Sequence, residues 1–350
     1  MDERRALIAA IIANPDEDTP RLAFADWLQE HGDEHDRARA EFIRLQVKAA
    51  RLPRGDESRK KLQKQADAID RAHAKHWLGP LMELVKGPYF DRGMLDVRYF
   101  TPAAFAKPET QRVLVEWLPR VGTRRLVLGG KTKRVGLVAE SPVLGLVPAL
   151  EWWDMQMDDD GLKTLAKSPH TGGLTALTLE KLLATDTGLK ALARSPNIAG
   201  LRKLRLLAPV NGGTGISAAG IRALIASEQF PRLDTFALTA AYRVALDSFC
   251  AEPALSRLRS LHICAGRPFT PISRCRHLTG LEELSIDSYS VGMIDADAFE
   301  LLDNPAFARL RRLIVSMPTN HSGLSETALH RLRDRFGDGF STDADLLHGD

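Results

Sequence analysis

From about residue 123 to residue 336, aliphatic residues recur in one compound pattern, L-x-x-L-x-L followed by a short amphipathic segment. Six units are clear, starting at Leu174 (LTALTL), Leu201 (LRKLRL), Leu233 (LDTFAL), Leu258 (LRSLHI), Leu281 (LEELSI) and Leu310 (LRRLIV). Two degenerate units precede them, at Thr123 (TRRLVL) and Leu150 (LEWWDM), and the start-to-start spacings are 27, 24, 27, 32, 25, 23 and 29 residues. A fixed period of this size marks a stack of small supersecondary units rather than one compact core. The alternation inside each unit is that of a strand, and the segments after it (DGLKTLAKSP, TGLKALARSP, AGIRALIAS, DAFELLDNP, TALHRLRDRF) have helical spacing with a Ser-Pro or Asn-Pro exit.

The residues ahead of the repeats have a different rhythm. Residues 2 to 13 predict a short amphipathic helix ended by Asn14-Pro15-Asp16. A second helix follows, capped by Asp18 or Thr19, with Pro20 in its first turn and Leu22, Phe24, Ala25, Trp27 and Leu28 inward. His31-Gly32-Asp33 breaks it, and Ala38 to Val47 predict a third with Phe42, Ile43, Leu45 and Val47 inward. Ser58 then caps a charged helix reaching about His76, whose stripe of Leu62, Ala66, Ile69 and Ala72 or His73 is expected to cover the first repeat. Gly87 to Phe100 alternates apolar and polar residues and predicts one entering strand. The resulting organisation is a helical module at 1–50, a connecting helix at 51–86, repeats over 87–340 and a polar tail at 341–350.

In x-L-x-L-x the leucines point inward, so the positions between them line the open face of a parallel sheet. On this reading Trp153 takes a core position and Trp152 points outward, either as an interface anchor or as a side chain covered by the cap helix or the N-terminal module. The same face carries Arg125, Asp154, Gln156, Thr178, Glu180, Lys203, Arg205, Ser260, His262, Cys264, Glu283, Asp287 and Arg312. Lys203 and Arg205, with Arg202 at the strand edge, form a basic patch, while Glu282, Glu283 and Asp287 form an acidic one. Trp152, Asp154, Lys203, Arg205, His262, Glu283, Asp287 and Arg312 are therefore the candidate binding residues.

Composition adds little to this picture and removes several options. The chain is 44% hydrophobic and 27% charged, with aromatics at only 6%, which suits aliphatic repeat packing. The net charge of +3 is uneven: residues 1 to 50 hold 11 acidic against 7 basic side chains, leaving 34 against 41 for the remainder. Scattered basic residues and scarce aromatic platforms argue against nucleic acid. Cys250, Cys264 and Cys275 make an odd number without CxxC spacing, which argues against a disulfide framework and a zinc site and for a reducing cytoplasm. The apolar run Leu7 to Ala13 is too short for a secretory leader and lacks its cleavage pattern, and no run approaches the ~20 apolar residues of a membrane span.

Catalytic and metal patterns are weak. Asp16, Asp18, Asp26, Glu30, His31, Asp33, His35 and Asp36 crowd the first helices, but no calcium loop fits them, and His31 and His35 lack a third ligand. Cys264 has no general base at a nucleophile's spacing. GGTG at Gly212 to Gly215 lacks the Lys-Ser/Thr that completes a phosphate loop, and the basic cluster Arg59, Lys60, Lys61 and Lys64 fits a solvated helix face.

The string DEDTPRLAFADWLQEHGD (Asp16 to Asp33), with RAEFIRLQ (Arg39 to Gln46), resembles the short bacterial repeat-companion domain found ahead of repeat arrays. That resemblance implies partnership with repeats and supplies no catalytic mechanism. The array itself resembles ribonuclease-inhibitor-like leucine-rich repeats, although several units lack the asparagine ladder that closes the turns of that class. The expected fold class is thus α/β: a leucine-rich-repeat solenoid, with a curved parallel sheet and helices on its convex side, preceded by a small all-α module. The expected function is a non-catalytic, monomeric, cytoplasmic scaffold that grips a protein partner without cofactor or membrane. Regulation of a partner enzyme, and an enzyme built on the acids near Trp27, are the alternatives.

Overall fold

The structure is a computed structural model. It describes residues 3–53, 55–85, 87–130, 134–154, 156–207, 215–239, 246–264, 269–287, 293–316 and 324–342, and for Tyr99 and Phe100 the backbone alone. The protein is α/β, its strands pairing almost entirely in parallel, and the chain divides into two compact units: residues 1–130 with 137–151, and residues 131–136 with 152–350.

The first unit opens with α1 (Glu3–Ala13), α2 (Thr19–His31), α3 (Glu34–Ala50) and α4 (Glu57–Leu78). Proline shapes the first boundary as expected: α1 stops before Pro15, and Pro20 lies in the first turn of α2, where a missing N–H costs nothing. The third helix starts earlier than Ala38, because Asp33 caps it by accepting from the N–H of Asp36 at 2.8 Å. Similarly, Asp56 rather than Ser58 caps α4, accepting from the N–H of Ser58 at 2.7 Å. The apolar faces of α1 to α3 close on one another: Ile8, Ile11, Phe24, Ala25, Leu28, Ala40, Ile43 and Val47 are buried around Met94.

Gly87 to Phe100 is a hairpin and not one strand. β1 (Tyr89–Asp91) and β2 (Met94–Phe100) pair antiparallel across Arg92-Gly93, both with positive φ (45° and 83°). A Cβ on Gly93 would sit 2.3 Å from Ile43 Cγ1, so α3 and the turn approach more closely than any other residue allows. Buried polar side chains of α3 reach this hairpin. Gln46 donates to the carbonyl of Phe90 at 2.9 Å and accepts from the N–H of Gly93 at 2.8 Å. Arg39, fully buried, donates to the carbonyls of Gly93 and Val121 and lies 5.6 Å from the Phe90 ring and 5.8 Å from the Trp77 ring. Arg39, Phe42, Ile43 and Gln46, all from the string RAEFIRLQ, thus fasten α3 to the first strands. The C-terminal end of α4 packs on α3, with Trp77 against Phe42 at 5.3 Å.

The rest of this unit is α5 (Leu81–Leu84), α6 (Pro102–Phe105), α7 (Pro108–Val121) and β3 (Thr123–Gly129), which pairs parallel with β2. After α8 (Val135–Ala139) and a short 3-10 turn, β4 (Ala149–Trp153) crosses the division between the units. β4 corrects the register expected of the second degenerate unit. Leu150 and Trp152 are fully buried and Trp153 is 50% exposed, so the unit starts at Val147, three residues before Leu150. An odd shift exchanges the two faces of a strand, which is why the two tryptophans swap roles.

The second unit alternates strands with helices: α9 (Asp159–Lys167), β5 (Ala176–Glu180), α10 (Asp186–Ala193), β6 (Lys203–Leu207), α11 (Ala218–Ile225), β7 (Thr235–Thr239), α12 (Leu246–Cys250), β8 (Ser260–Cys264), α13 (Thr270–Ser273), β9 (Glu283–Asp287), α14 (Asp295–Asp303), β10 (Arg312–Ser316), α15 (Glu326–Phe336) and β11 (Phe340–Ser341). Strands β5 to β10 each begin two residues after the first leucine of a clear unit. Each pairs parallel with the next in one continuous register, Ala176, Lys203, Thr235, Ser260, Glu283 and Arg312 standing side by side. β11 adds a further parallel strand on β10 where the sequence predicted the start of a polar tail.

Two polar ladders join neighbouring repeats. At the helix starts, Asp159 accepts from the N–H groups of Thr185 and Gly188 (2.7 and 2.9 Å) and from the Thr185 hydroxyl (2.7 Å), and Asp186 repeats this on Ser217 (2.8 and 2.6 Å). At the helix exits, the Ser195 hydroxyl donates to the carbonyl of Ala166 at 2.6 Å, and Asn304 Nδ2 donates to that of Ser273 at 2.8 Å. These side chains satisfy backbone groups that the interrupted asparagine pattern left without an expected partner.

Candidate functional site

The outward positions of β5 to β10 form three in-register rows. The first holds Ala176, Lys203, Thr235, Ser260, Glu283 and Arg312; the second Thr178, Arg205, Ala237, His262, Ser285 and Ile314; the third Glu180, Leu207, Thr239, Cys264, Asp287 and Ser316. With strands about 4.8 Å apart, Arg205 and His262 lie about 10 Å from each other. The small Ala237 between them is 3% exposed. Arg205 is half-buried and has no hydrogen-bond or ion-pair partner among the described residues. His262 Nδ1 meets Ser285 Oγ at 3.0 Å, and Arg312 lies 3.9 Å from Glu283.

Six of the eight candidate residues, Lys203, Arg205, His262, Glu283, Asp287 and Arg312, therefore share one sheet face. Two do not belong to it. Trp152 is fully buried, its indole N–H without a partner among the described residues. Asp154 follows β4 in the left-handed region (φ 54°) and pairs with Lys181, which has the same φ one repeat later. Gln156 is exposed but outside any strand. Cys264 stands on an outward position yet is fully buried. Thr178 is also buried.

One regularity was not anticipated. The residues just before the strands, Arg202, Asp234, Arg259, Glu282 and Arg311, are joined through their backbones and alternate in sign. Arg202 pairs with Asp234 at 2.8 Å and Arg259 with Glu282 at 3.4 Å. Arg202 and Glu282 are therefore engaged in the edge ladder and do not extend the two patches of the face. Only an alignment of the repeat starts, read down a column, could have revealed it.

In the first unit the corresponding outward row is closed. Asp96, Arg125 and Glu151 lie in line and are buried, with Arg125 2.5 Å from Asp96 and 2.6 Å from Glu151. Arg124 also grips Asp96 through two hydrogen bonds of 3.0 Å. Burial opposes the charge on Asp96, but the hydrogen bonds and positive charge of Arg124 and Arg125 outweigh it and hold the carboxyl below its ordinary range. Arg125 is thus neutralised in place and does not contribute to an open surface.

Several of the acids and both histidines of the first helices have partners among the described residues. Asp18 pairs with Arg51 and Arg92 (2.9 and 3.1 Å), Asp26 with Arg44 (2.8 Å) and Asp36 with Arg4 (3.1 Å). His31 stacks on Trp27 with ring centres 5.4 Å apart. His35 meets His73 at 2.9 Å and stacks on His76 at 3.6 Å. Among the described residues no group of three or more His, Cys, Asp or Glu is placed to hold a metal ion. Residues 212–214 of the GGTG segment, and the tail from residue 343, lie outside the described residues. No helix among the described residues is long and apolar enough to cross a membrane.

Comparison with protein-family models finds no match, and comparison with curated proteins finds none either.

Proposed function

We propose that the chain is a non-catalytic protein-binding scaffold, a leucine-rich-repeat solenoid of the ribonuclease-inhibitor-like kind preceded by a repeat-companion module, which grips a protein partner on the outward rows of β5 to β10. The observation that carries this reading is Arg205: a half-buried cation on a regular sheet face, flanked in register by Thr178 and Ala237 and without a partner among the described residues. A cation held in place without a partner favours association with an acidic group, through both orientation and encounter rate. His262, Glu283, Asp287 and Arg312 supply further polar contacts on the same rows, and Trp153, half exposed, replaces Trp152 as the aromatic anchor. In the first unit the buried row Asp96, Arg125 and Glu151 offers no such open surface.

A photo-cross-linking residue at Thr235, between Lys203 and Ser260, is expected to capture the partner, whereas the same group at exposed Lys167 on α9 is not. Capture at Lys167 alone would remove the sheet face from the account.

A further inference from the structure

The two cysteines that the spacing had dismissed come together. Cys250 ends α12 and Cys275 follows α13, one repeat later. Both are free and buried, and the Cys275 thiol donates to the carbonyl of Cys250 at 3.6 Å. They also share the wall of a cleft of about 380 Å³ with Asp247, Thr270, Arg274, Arg276 and His277. Arg274 is held by Glu300, while Arg276 is exposed and has no ion-pair partner among the described residues.

We propose that Cys250 and Cys275 form a reversible dithiol–disulfide site, oxidised by a small hydroperoxide that enters through this cleft.

The surroundings give the two sulfurs different roles. The neighbouring Cys250 side chain, with the backbone N–H groups of His277 and Leu278, draws Cys275 below the ordinary thiol range in spite of burial. Cys250 is pushed the opposite way, by the negative sulfur it faces, by burial and by Asp247. Cys275 is therefore the attacking thiolate and Cys250 the resolving thiol. In the first step Cys275 sulfur bonds to one peroxide oxygen, the O–O bond breaks and hydroxide leaves, giving a sulfenic acid. In the second, Cys250 loses its proton and attacks that sulfur; the S–S bond forms, the S–O bond breaks, and the oxygen leaves as water. The peroxide is reduced by two electrons, the cysteine pair is oxidised by two, and a dithiol reductant reverses the change. Cys264, fully buried at the end of β8, does not line this cleft and serves as an internal control.

The test exposes the full chain to hydrogen peroxide, blocks free thiols after denaturation and maps the cysteines by mass spectrometry. A peptide linking Cys250 to Cys275 is expected, lost on dithiothreitol treatment, with oxidation at least about tenfold faster than at Cys264. In Cys250→Ser the sulfenic acid on Cys275 persists and is trapped by dimedone. Oxidation of Cys264 at the same rate as Cys275, or a wild-type chain whose Cys275 remains a thiol throughout, would overturn the proposal. The wild-type map decides it even where a cysteine variant fails to fold.

Discussion

Gly188 and Asp159 belong to successive repeats and touch: Asp159 Oδ1 accepts from the Gly188 N–H at 2.9 Å, and a Cβ on Gly188 would lie 2.6 Å from that oxygen. Gly220 and Asp186 repeat the close approach, with a Cβ only 2.3 Å from the carboxylate oxygen. The glycine that opens these helices thus makes room for the aspartate of the preceding repeat. In an unhindered helix, Gly→Ala stabilises by about 1 kcal/mol. At Gly188 and Gly220 the sign reverses, with an expected loss of about 1 to 3 kcal/mol. Gly136, which has no atom within 4 Å of a built Cβ, is the control. Urea unfolding of the three alanine variants measures all of this. Stabilisation at Gly188 would refute the steric account of the ladder.

Trp152 and Trp153 separate packing from exposure within two adjacent residues. Trp152→Ala removes a fully buried indole and is expected to cost about 3 to 5 kcal/mol. Trp153→Ala, at a half-exposed position, is expected to change stability by only about 0.5 kcal/mol. Chemical denaturation followed by circular dichroism distinguishes them, and equal costs would contradict the register assigned to β4.

Asp96 holds together a buried group of like charges. Asp96→Asn removes the carboxylate that Arg124 and Arg125 share while leaving them Asp91 and Glu151, at an expected cost of about 1 to 3 kcal/mol. Its carboxyl is held below the ordinary range in the fold, so its stabilising contribution is fully present above the unfolded value of about 4 and is lost as pH falls through the lower folded value. Asp18 behaves alike: burial raises it, and the hydrogen bonds from Arg51 and Arg92 more than offset this. Stability measured between pH 7 and pH 2 is expected to fall at the acid end, and to fall less in Asp96→Asn. An identical acid slope in both chains would remove Asp96 from this role.

The hairpin contact makes a prediction for the first unit. Gln46→Leu keeps the volume but strips the buried Gly93 N–H and Phe90 carbonyl of their partners, at a cost of about 1 to 3 kcal/mol per stranded group. Hydrogen exchange at the Gly93 amide is expected to accelerate. Unchanged protection there would show that α3 does not fasten the turn.

The six clear strands were legible because aliphatic residues at fixed offsets report burial directly, and they lie where the leucines place them. The register of β4 was not legible. Two adjacent tryptophans offer equal apolar weight to either face, and only the packing of Leu150 decides between them. The hairpin was hidden because Asp91-Arg92-Gly93 interrupts a continuous alternation that one strand satisfies equally well. Of the candidate site, the six residues on β6, β8, β9 and β10 followed from register alone. What could not be read were relations between repeats: the alternating charges from Arg202 to Arg311, the aspartate that fixes Gly188, and the meeting of Cys250 with Cys275. The repeat spacing of 23 to 32 positions says which residues stand side by side, but not which of them bond to one another.

The central claim is that the sheet face around Arg205 binds a protein partner. Its most direct test is the affinity of the partner captured at Thr235 for three full-length chains: wild type, Arg205→Glu and Lys167→Glu. Reversing a cation in the middle row of the face is expected to weaken binding at least about tenfold, while the charge reversal on α9 leaves it unchanged. Equal affinity for all three chains, or a loss confined to Lys167→Glu, would contradict the account.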